Sequence, residues 1–307
     1  MLCYDRLLLA TGSSARRLPV PGADGGNVHT LRTVEDSDRL RAAFAAAERV
    51  AVVGAGWIGP ETAAAARNAG AQVAVIESRA APLEAALGSP VSEVFTALHR
   101  EHGVEFTFNA RVDAITEGGV LFDDGVHVRA DAVVVGIGAT PNVDLARDAG
   151  LAVKDGVTVG ADLRTSDPRI FAVGDIANAF HPVLGRHVRV EHWANALNQP
   201  AVAARAMLGR PAAYDDLPYF FTDQYDLGME YVGLPHPARD TRVVVRGDLG
   251  AREFIAFWVQ DDLVTAAMNV DIWDVADHTR AIIRAQRPFA DADLADPNVP
   301  LAELAMA

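Results

Sequence analysis

Short apolar runs alternate with longer amphipathic stretches in the first half of the chain. The run Arg49–Gly54 is apolar and ends in glycine, as expected for a parallel strand that is covered on both faces. Residues 57–70 are rich in alanine and end at Gly70, which predicts a helix. Three further elements are predicted: a strand at 72–77, a helix at 90–103 and a strand at 104–108.

A β-meander is predicted over residues 111–129, with a hairpin turn at Asp123-Asp124-Gly125. Another buried strand follows at 131–136. Strand, helix, strand, helix and strand with a meander crossover make a complete dinucleotide-binding domain. The pattern therefore predicts such a domain over residues 36–139.

The segments on either side of this domain look like two parts of another α/β unit. Leu7–Gly12 predicts a buried strand that runs into a tight turn, and the apolar run at 170–173 predicts another. A helix is predicted at 193–208. The second unit is therefore discontinuous, with its parts at 1–35 and 140–210.

The last third of the chain, residues 211–307, has a different pattern. A linker bracketed by prolines leads into a β-rich region at 219–270, and a helix is predicted at about 273–286. The remaining tail is rich in aspartate and proline, which predicts a loop. The predicted fold class is α/β, with a C-terminal α+β domain.

A glycine-rich motif follows the strand at 49–54 and opens the next helix, which is the context in which it binds a dinucleotide. Gly54 permits the tight turn, Gly56 lets the backbone approach a pyrophosphate, and Gly59 lets the helix pack closely on the strand. Trp57 and Ile58 complete the turn at the helix N-terminus, where free N–H groups suit phosphates.

Glu77 ends the second strand, 18 residues after Gly59. This spacing predicts a carboxylate that binds the ribose hydroxyls. Because a carboxylate repels a 2′-phosphate, the motif favours NAD over NADP. Arg79 weakens that preference, because a guanidinium can recruit the phosphate. The alternative is a structural glycine turn with a surface glutamate.

Composition excludes several other classes of protein. The chain has 27 Lys and Arg against 41 Asp and Glu, and this net charge of −14 argues against nucleic acid as the main partner. Cys3 is the only cysteine, so no intrachain disulfide or Cys-x-x-Cys pair exists, which fits a cytoplasmic protein. No apolar run predicts a membrane span, and the nine histidines show no metal-binding spacing.

Asp175 directly follows the apolar run at 170–173, so it is predicted at the carboxyl edge of a sheet, where ligands bind. A carboxylate there can accept hydrogen bonds from sugar or ribityl hydroxyls. A helix cap is the alternative interpretation.

Five motifs, in order along nearly the whole chain, resemble those of the ferredoxin reductase-like flavoproteins. This family includes the putidaredoxin, rubredoxin and dioxygenase-system ferredoxin reductases. The motifs are Tyr4–Gly12 with Arg16 and Leu18-Pro19, Gly136–Asn142, Thr165–Asp175, Glu191–Gln199 and Thr222–Tyr225.

The resemblance implies an FAD-dependent NADH oxidoreductase that passes electrons from NADH through the flavin to a ferredoxin- or rubredoxin-like carrier. It implies two Rossmann-like domains, for FAD and NAD, plus a C-terminal reductase domain. It also implies cofactor-binding roles for Thr11, Arg16, Glu61, Gly138, Asp175 and Trp193, with Trp193 beside the flavin and Glu61 near the nicotinamide. Without the resemblance, Trp193 is more typical of a core residue and Glu61 of a first-turn acid. No acid–base residue and no metal ligand is predicted.

Members of this family carry an FAD fingerprint that would precede Tyr4 here. We therefore expect an incomplete FAD domain, because the chain is a truncated product or a reading frame with an incorrect start. Two alternatives remain open. One is a flavin-poor NAD-binding module without turnover, and the other is a relative of the disulfide reductases. The sequence does not specify the electron carrier or the oligomeric state.

Overall fold

The computed structural model describes residues 3–306, which group into two compact units. The glycine-loop unit consists of Ala15–Thr140 and Asp223–Leu227. The split unit consists of the chain up to Ser14, Pro141–Thr222 and the chain from Gly228. Residues 15–35 thus belong with the glycine-loop unit, whereas the sequence-based division places them in the other domain.

Residues 3–306 form twenty strands. In chain order they are β1 (Leu7–Leu9), β2 (Ser13–Ala15), β3 (Val28–His29), β4 (Arg49–Val53), β5 (Gln72–Ile76), β6 (Val104–Thr107), β7 (Val112–Thr116), β8 (Gly119–Phe122), β9 (His127–Arg129), β10 (Ala132–Val135), β11 (Ala139–Pro141), β12 (Val157–Val159), β13 (Ile170–Ala172), β14 (Ala177–His181), β15 (Arg186–Val188), β16 (Tyr219–Gln224), β17 (Leu227–Gly233), β18 (Arg242–Asp248), β19 (Glu253–Gln260) and β20 (Leu263–Val270).

The same part of the chain forms nine α-helices and a 3₁₀ turn at Gly174–Ile176. The helices are α1 (Val34–Ala46), α2 (Ile58–Asn68), α3 (Glu84–Leu87), α4 (Ser89–Glu101), α5 (Asp144–Asp148), α6 (Trp193–Met207), α7 (Ala276–Arg284), α8 (Asp291–Ala295) and α9 (Leu301–Met306). None of the helices in residues 3–306 has both the length and the apolar character that crossing a bilayer requires.

The glycine-loop unit is built on a parallel sheet with strand order β3-β10-β4-β5-β6. Strand β4 is apolar and buried from Val50 to Val53 because both of its faces are covered there. Val50 and Val52 pack with Leu40 and other residues of α1 and α2, whereas Ala51 packs on the opposite face with the meander β7-β8-β9. The alternation of side chains along the strand therefore serves two cores.

In the split unit, β1 pairs in parallel with β13, with Leu7 opposite Ile170. A three-stranded sheet of order β12-β14-β15 lies in the same unit, and its apolar residues share a core with β13 and α6. The strand pairing explains how a short apolar run near the start of the chain is covered. It also brings the carboxyl ends of β1 and β13 together.

The C-terminal sheet has the order β16-β17-β20-β19-β18 and packs against α7, α8 and α9. The prediction that the tail is a loop is wrong, because α8 and α9 form there. Each of these short helices buries one leucine, Leu294 (0% exposed) or Leu304 (7% exposed), in the core of this sheet. Tertiary packing therefore stabilises helices that the local sequence does not indicate.

Candidate functional site

A cavity of about 830 Å³ opens at the carboxyl ends of β4, β5 and β10 in the glycine-loop unit. It is lined by the turn from Gly54 to Trp57, by Glu77 and by Gly138. Ligands of open parallel sheets bind at this edge, where strand ends and helix starts meet. A volume of this size falls within the range of small-molecule and cofactor sites.

The three glycines of the motif have different structural roles. Gly54 has φ +100°, and a Cβ there would lie 2.5 Å from the carbonyl oxygen of Gly136. A Cβ on Gly59 would lie 2.0 Å from the carbonyl oxygen of Gly54. A Cβ on Gly56, by contrast, would meet nothing within 4 Å. The first and third glycines are therefore required by the fold itself, while the second leaves open space for a ligand.

Glu77 is 9% exposed and lines this cavity. Its Oε2 accepts the backbone N–H of Ala55 at 2.6 Å. Its Oε1 accepts the Ser78 hydroxyl and the Arg79 backbone N–H, both at 3.0 Å. Glu77 is thus fixed in place, and it links the end of β5 to the glycine loop.

Two other predicted residues meet at the rim of the cavity. Arg16 donates its backbone N–H to the carbonyl oxygen of Gly138 at 2.9 Å and its Nε–H to that of Ala139 at 3.0 Å. Gly138 has φ +103°, a conformation that favours glycine. The structure therefore places Arg16 next to the turn that contains Gly138.

Ile58 and Glu61 do not line this cavity. Ile58 is 38% exposed and begins α2. Glu61 lies on the side of α2 that faces α1, where it lines a separate cavity of about 340 Å³ with Leu40 and Phe44. Its expected place near the nicotinamide remains a prediction.

A second polar cluster forms in the split unit where β1 and β13 end. Asp175 is 6% exposed, and its Oδ2 accepts the Ser13 hydroxyl at 2.6 Å. Arg189 donates to the carbonyl oxygen of Asp175 at 3.4 Å and also pairs with Asp155 at 3.0 Å and with Glu191. Ser13 thus fixes the carboxylate of Asp175 at the edge of the sheet, and Arg189 contacts its backbone.

Thr11 lies close to this cluster. Its hydroxyl donates to the carbonyl oxygen of Asn142 at 2.6 Å, and the amide of Asn142 donates back to the carbonyl oxygen of Thr11 at 2.9 Å. The pair ties the loop after β1 to the chain that follows Pro141.

Trp193 begins α6 and is 71% exposed. The helix is held against the Asp175 cluster because the Gln199 side chain accepts the Gly174 N–H at 2.8 Å. The preceding residue, His192, stacks on Phe220 with ring centroids 4.2 Å apart. Burial lowers the pKa of His192 to about 4, although the carboxylates of Glu191 and Asp175 oppose the shift. His192 is therefore neutral at pH 7.

The structure brings Gly54, Gly56, Trp57, Glu77 and Gly138 together around one cavity. In the other unit it brings Asp175 to a cluster with residues that sequence reasoning missed, namely Ser13 and Arg189. Only strand pairing identifies Ser13, which lies 162 positions from Asp175. Residues 3–306 contain no group of three or more His, Cys, Asp or Glu side chains arranged to hold a metal ion.

Two family models match the chain. The pyridine nucleotide-disulphide oxidoreductase family matches residues 1–200. The reductase C-terminal family matches residues 219–305.

Several curated relatives resemble the chain over almost its whole length. The anthranilate 1,2-dioxygenase system ferredoxin–NAD(+) reductase component of Burkholderia cepacia is 43% identical over 305 residues, which cover 98% of this chain and 75% of the relative. The putidaredoxin reductase of Pseudomonas putida is 38% identical over 313 residues, which cover 99% of this chain and 74% of the relative.

Solved structures of two reductases also resemble the chain over almost its whole length. A ferredoxin reductase from Rhodopseudomonas palustris superposes with a TM-score of 0.93 at 34% identity, covering 98% of this chain and 76% of that one. The reductase in a covalent putidaredoxin reductase–putidaredoxin complex superposes with a TM-score of 0.93 at 37% identity. The match covers 99% of this chain and 75% of that one.

Proposed function

Because this chain belongs to the pyridine nucleotide-disulphide oxidoreductase family, we propose that it is an FAD-dependent oxidoreductase that takes electrons from NADH. It passes them to a ferredoxin- or rubredoxin-like carrier. Relatives that are named ferredoxin–NAD(+) reductase and putidaredoxin reductase support this function. The matched reductase C-terminal domain supports it as well.

The main support for the proposal is that the glycine loop and Glu77 are joined by a hydrogen bond and line the same cavity. The turn leaves open space at Gly56, where the pyrophosphate of NADH would approach the backbone. Glu77 lines the same cavity, where its carboxylate would accept a ribose hydroxyl. The N-terminus of α2 would add free N–H groups and the positive end of the helix dipole.

The split unit has side chains of the type that suits FAD. Asp175 is a buried carboxylate with a polar partner, which suits ribityl hydroxyls, and the exposed indole of Trp193 offers a flat apolar surface for a ring. Thr11, Asp175 and Trp193 of this unit would hold the flavin, and we propose the same role for Arg16, which belongs to the glycine-loop unit. Bound there, FAD would supply the chemistry that connects hydride transfer from NADH to single-electron transfer to the carrier.

The side chains of this chain contribute binding and orientation rather than proton transfer. The glycine loop and Glu77 fix the nucleotide, so that the nicotinamide is presented in one orientation. His192 stays neutral at pH 7 because its pKa is about 4, so it adds no positive charge next to Trp193. No side chain is assigned as a general acid or base.

By function we also assign residues 36–139 to the NAD domain, residues 1–35 and 140–210 to the FAD domain, and residues 211–307 to the reductase domain, whereas by packing residues 15–35 group with the glycine-loop unit. The cytoplasm is the proposed location, because a chain whose only cysteine is Cys3 suits a reducing compartment. The match of residues 219–305 to the reductase C-terminal family favours the proposed function over that of a disulfide reductase.

Titration of the purified chain with NADH tests the proposal. We expect NADH to bind to the wild-type protein and Gly56→Val to abolish binding, because a side chain there fills the space for the pyrophosphate. Gly26→Val is the matched control, since a Cβ at Gly26 also meets nothing within 4 Å and Gly26 does not line the cavity.

Activity is tested in the same preparation. Flavin absorbance that bleaches on anaerobic addition of NADH supports the oxidoreductase. Colourless protein that binds NADH but cannot be loaded with FAD supports the alternative, an NAD-binding module without turnover. Absence of NADH binding by the wild-type protein contradicts the proposal altogether.

A further inference from the structure

The adenosine end of the glycine-loop cavity contains charged groups that the proposed function does not use. Arg79 and Arg111 both line this cavity. The two come together because the loop after β6 runs beside the end of β5. The backbone N–H of Asn109 donates to the carbonyl oxygen of Arg79 at 3.0 Å, and that of Ala110 donates to the carbonyl oxygen of Glu77 at 3.1 Å.

Neither guanidinium group has an ion-pair or hydrogen-bond partner within residues 3–306. Both side chains belong to exposed residues, so they are free to turn towards a ligand in the cavity. Unpaired guanidinium groups at a nucleotide site suit a phosphate, because their planar N–H groups match its oxygens.

The hydrogen bonds of Glu77 limit how it binds a ribose. A carboxylate has about four acceptor positions, two on each oxygen. The Ser78 hydroxyl and the Arg79 N–H occupy both positions on Oε1, and the Ala55 N–H occupies one on Oε2. One position remains, so Glu77 binds one ribose hydroxyl while the loop keeps its own bonds.

Building on the proposed function, we propose that this site accepts NADPH as well as NADH. Glu77 then binds the 3′-hydroxyl through Oε2, and Arg79 and Arg111 bind the 2′-phosphate. Glu84 and Asp113 also line the cavity, so with Glu77 three carboxylates oppose two guanidinium groups. NADPH therefore binds more weakly than NADH but in the same cavity.

Titrations of the purified chain with NADH and with NADPH test this inference. We expect the dissociation constant for NADPH to lie within about a hundredfold of that for NADH. Arg79→Gln should weaken NADPH binding about tenfold and leave NADH binding unchanged, since a hydrogen bond to a charged group is lost only with NADPH. Added salt should weaken NADPH binding more steeply than NADH binding.

Arg129→Gln is the matched control, because Arg129 is an exposed arginine of the same unit that does not line the cavity. The inference is overturned if NADPH does not bind while NADH does. It is also overturned if Arg79→Gln weakens both nucleotides equally, because the guanidinium then contacts a part that they share. If neither nucleotide binds the wild-type protein, the proposed function itself fails.

Discussion

The carboxylate of Glu77 accepts the backbone N–H of Ala55 at 2.6 Å, which joins the end of β5 to the loop after β4. The carboxylate therefore supports the shape of the glycine loop before any nucleotide is present. Because Glu77 is 9% exposed and Ala55 is 1% exposed, loss of the carboxylate leaves a buried Ala55 N–H without its acceptor.

Glu77→Ala should therefore weaken NADH binding more than loss of a ribose contact alone. We expect a loss of at least about tenfold in affinity, since a hydrogen bond to a charged group contributes about 1.5–3 kcal/mol. Glu77→Gln retains an acceptor for Ala55 and should lose less. Calorimetric titration measures the affinities, and amide exchange at Ala55 measures the loop. Equal losses in the two variants would contradict a role in supporting the loop.

Gly56 and Gly59 should respond differently to alanine. Gly59→Ala places a Cβ 2.0 Å from the carbonyl oxygen of Gly54, so it should destabilise the protein by at least about 2 kcal/mol, although alanine is normally the better helix former. Gly56→Ala meets nothing within 4 Å and should leave the melting temperature unchanged while NADH binding weakens. Thermal melts and NADH titrations separate the two effects. A stable Gly59→Ala variant would contradict the close packing of Gly59 against the carbonyl oxygen of Gly54.

Ser13→Ala should destabilise the protein by about 1–3 kcal/mol, because it removes a partner of the buried Asp175 carboxylate. Ser14→Ala is the neighbouring control. Its hydroxyl donates to the Asn142 side chain at 2.8 Å in an exposed position, so we expect a change below about 1 kcal/mol. Urea denaturation measures both. When the protein is loaded with FAD, Ser13→Ala should retain less of it than the wild-type protein, and Ser14→Ala should retain the same amount.

His99 should make stability depend on pH. Burial lowers the pKa of His99 from its ordinary value of 6.5, the hydrogen bond with Gln224 opposes this shift, and His102 adds to it. The unfolded chain therefore binds a proton that the folded chain excludes. The free energy of unfolding should be constant above about pH 6.5 and should fall as the pH decreases below it.

Urea denaturation between pH 8 and pH 5 tests this expectation. His99→Gln should reduce the pH dependence, whereas His127→Gln, at an exposed position on β9, should not. His29, His181 and His192 also have lowered pKa values, so some dependence should remain in both variants. An unchanged slope in His99→Gln would contradict the assignment to His99.

The sequence predicts those parts of the fold that depend on neighbouring residues. The strand at 49–53, the helix after Gly56 and the loop between them follow from local apolar runs and from glycine conformations. The α/β fold class and the resemblance to ferredoxin reductase-like flavoproteins are confirmed by the family and structure matches. The binding roles of the individual residues stay predictions.

What the sequence does not predict depends on contacts between distant segments. Arg111 lies 32 positions after Arg79, and only the packing of the loop after β6 beside the end of β5 brings them to one cavity. Helices α8 and α9 exist because Leu294 and Leu304 are buried against a sheet. No local pattern contains that information.

The chain leaves the glycine-loop unit at Thr140 and returns to it for Asp223–Leu227. Within that return, Gln224 accepts the Nε2–H of buried His99 at 2.8 Å, and Tyr225 stacks on His102 with centroids 3.7 Å apart. A nucleotide-binding fragment made by one cut at Thr140 would expose His99. It would also lose the contact of Gln224 with His99 and that of Tyr225 with His102. A separately expressed nucleotide-binding fragment therefore needs Asp223–Leu227 as well, for instance joined after Thr140 through a flexible linker.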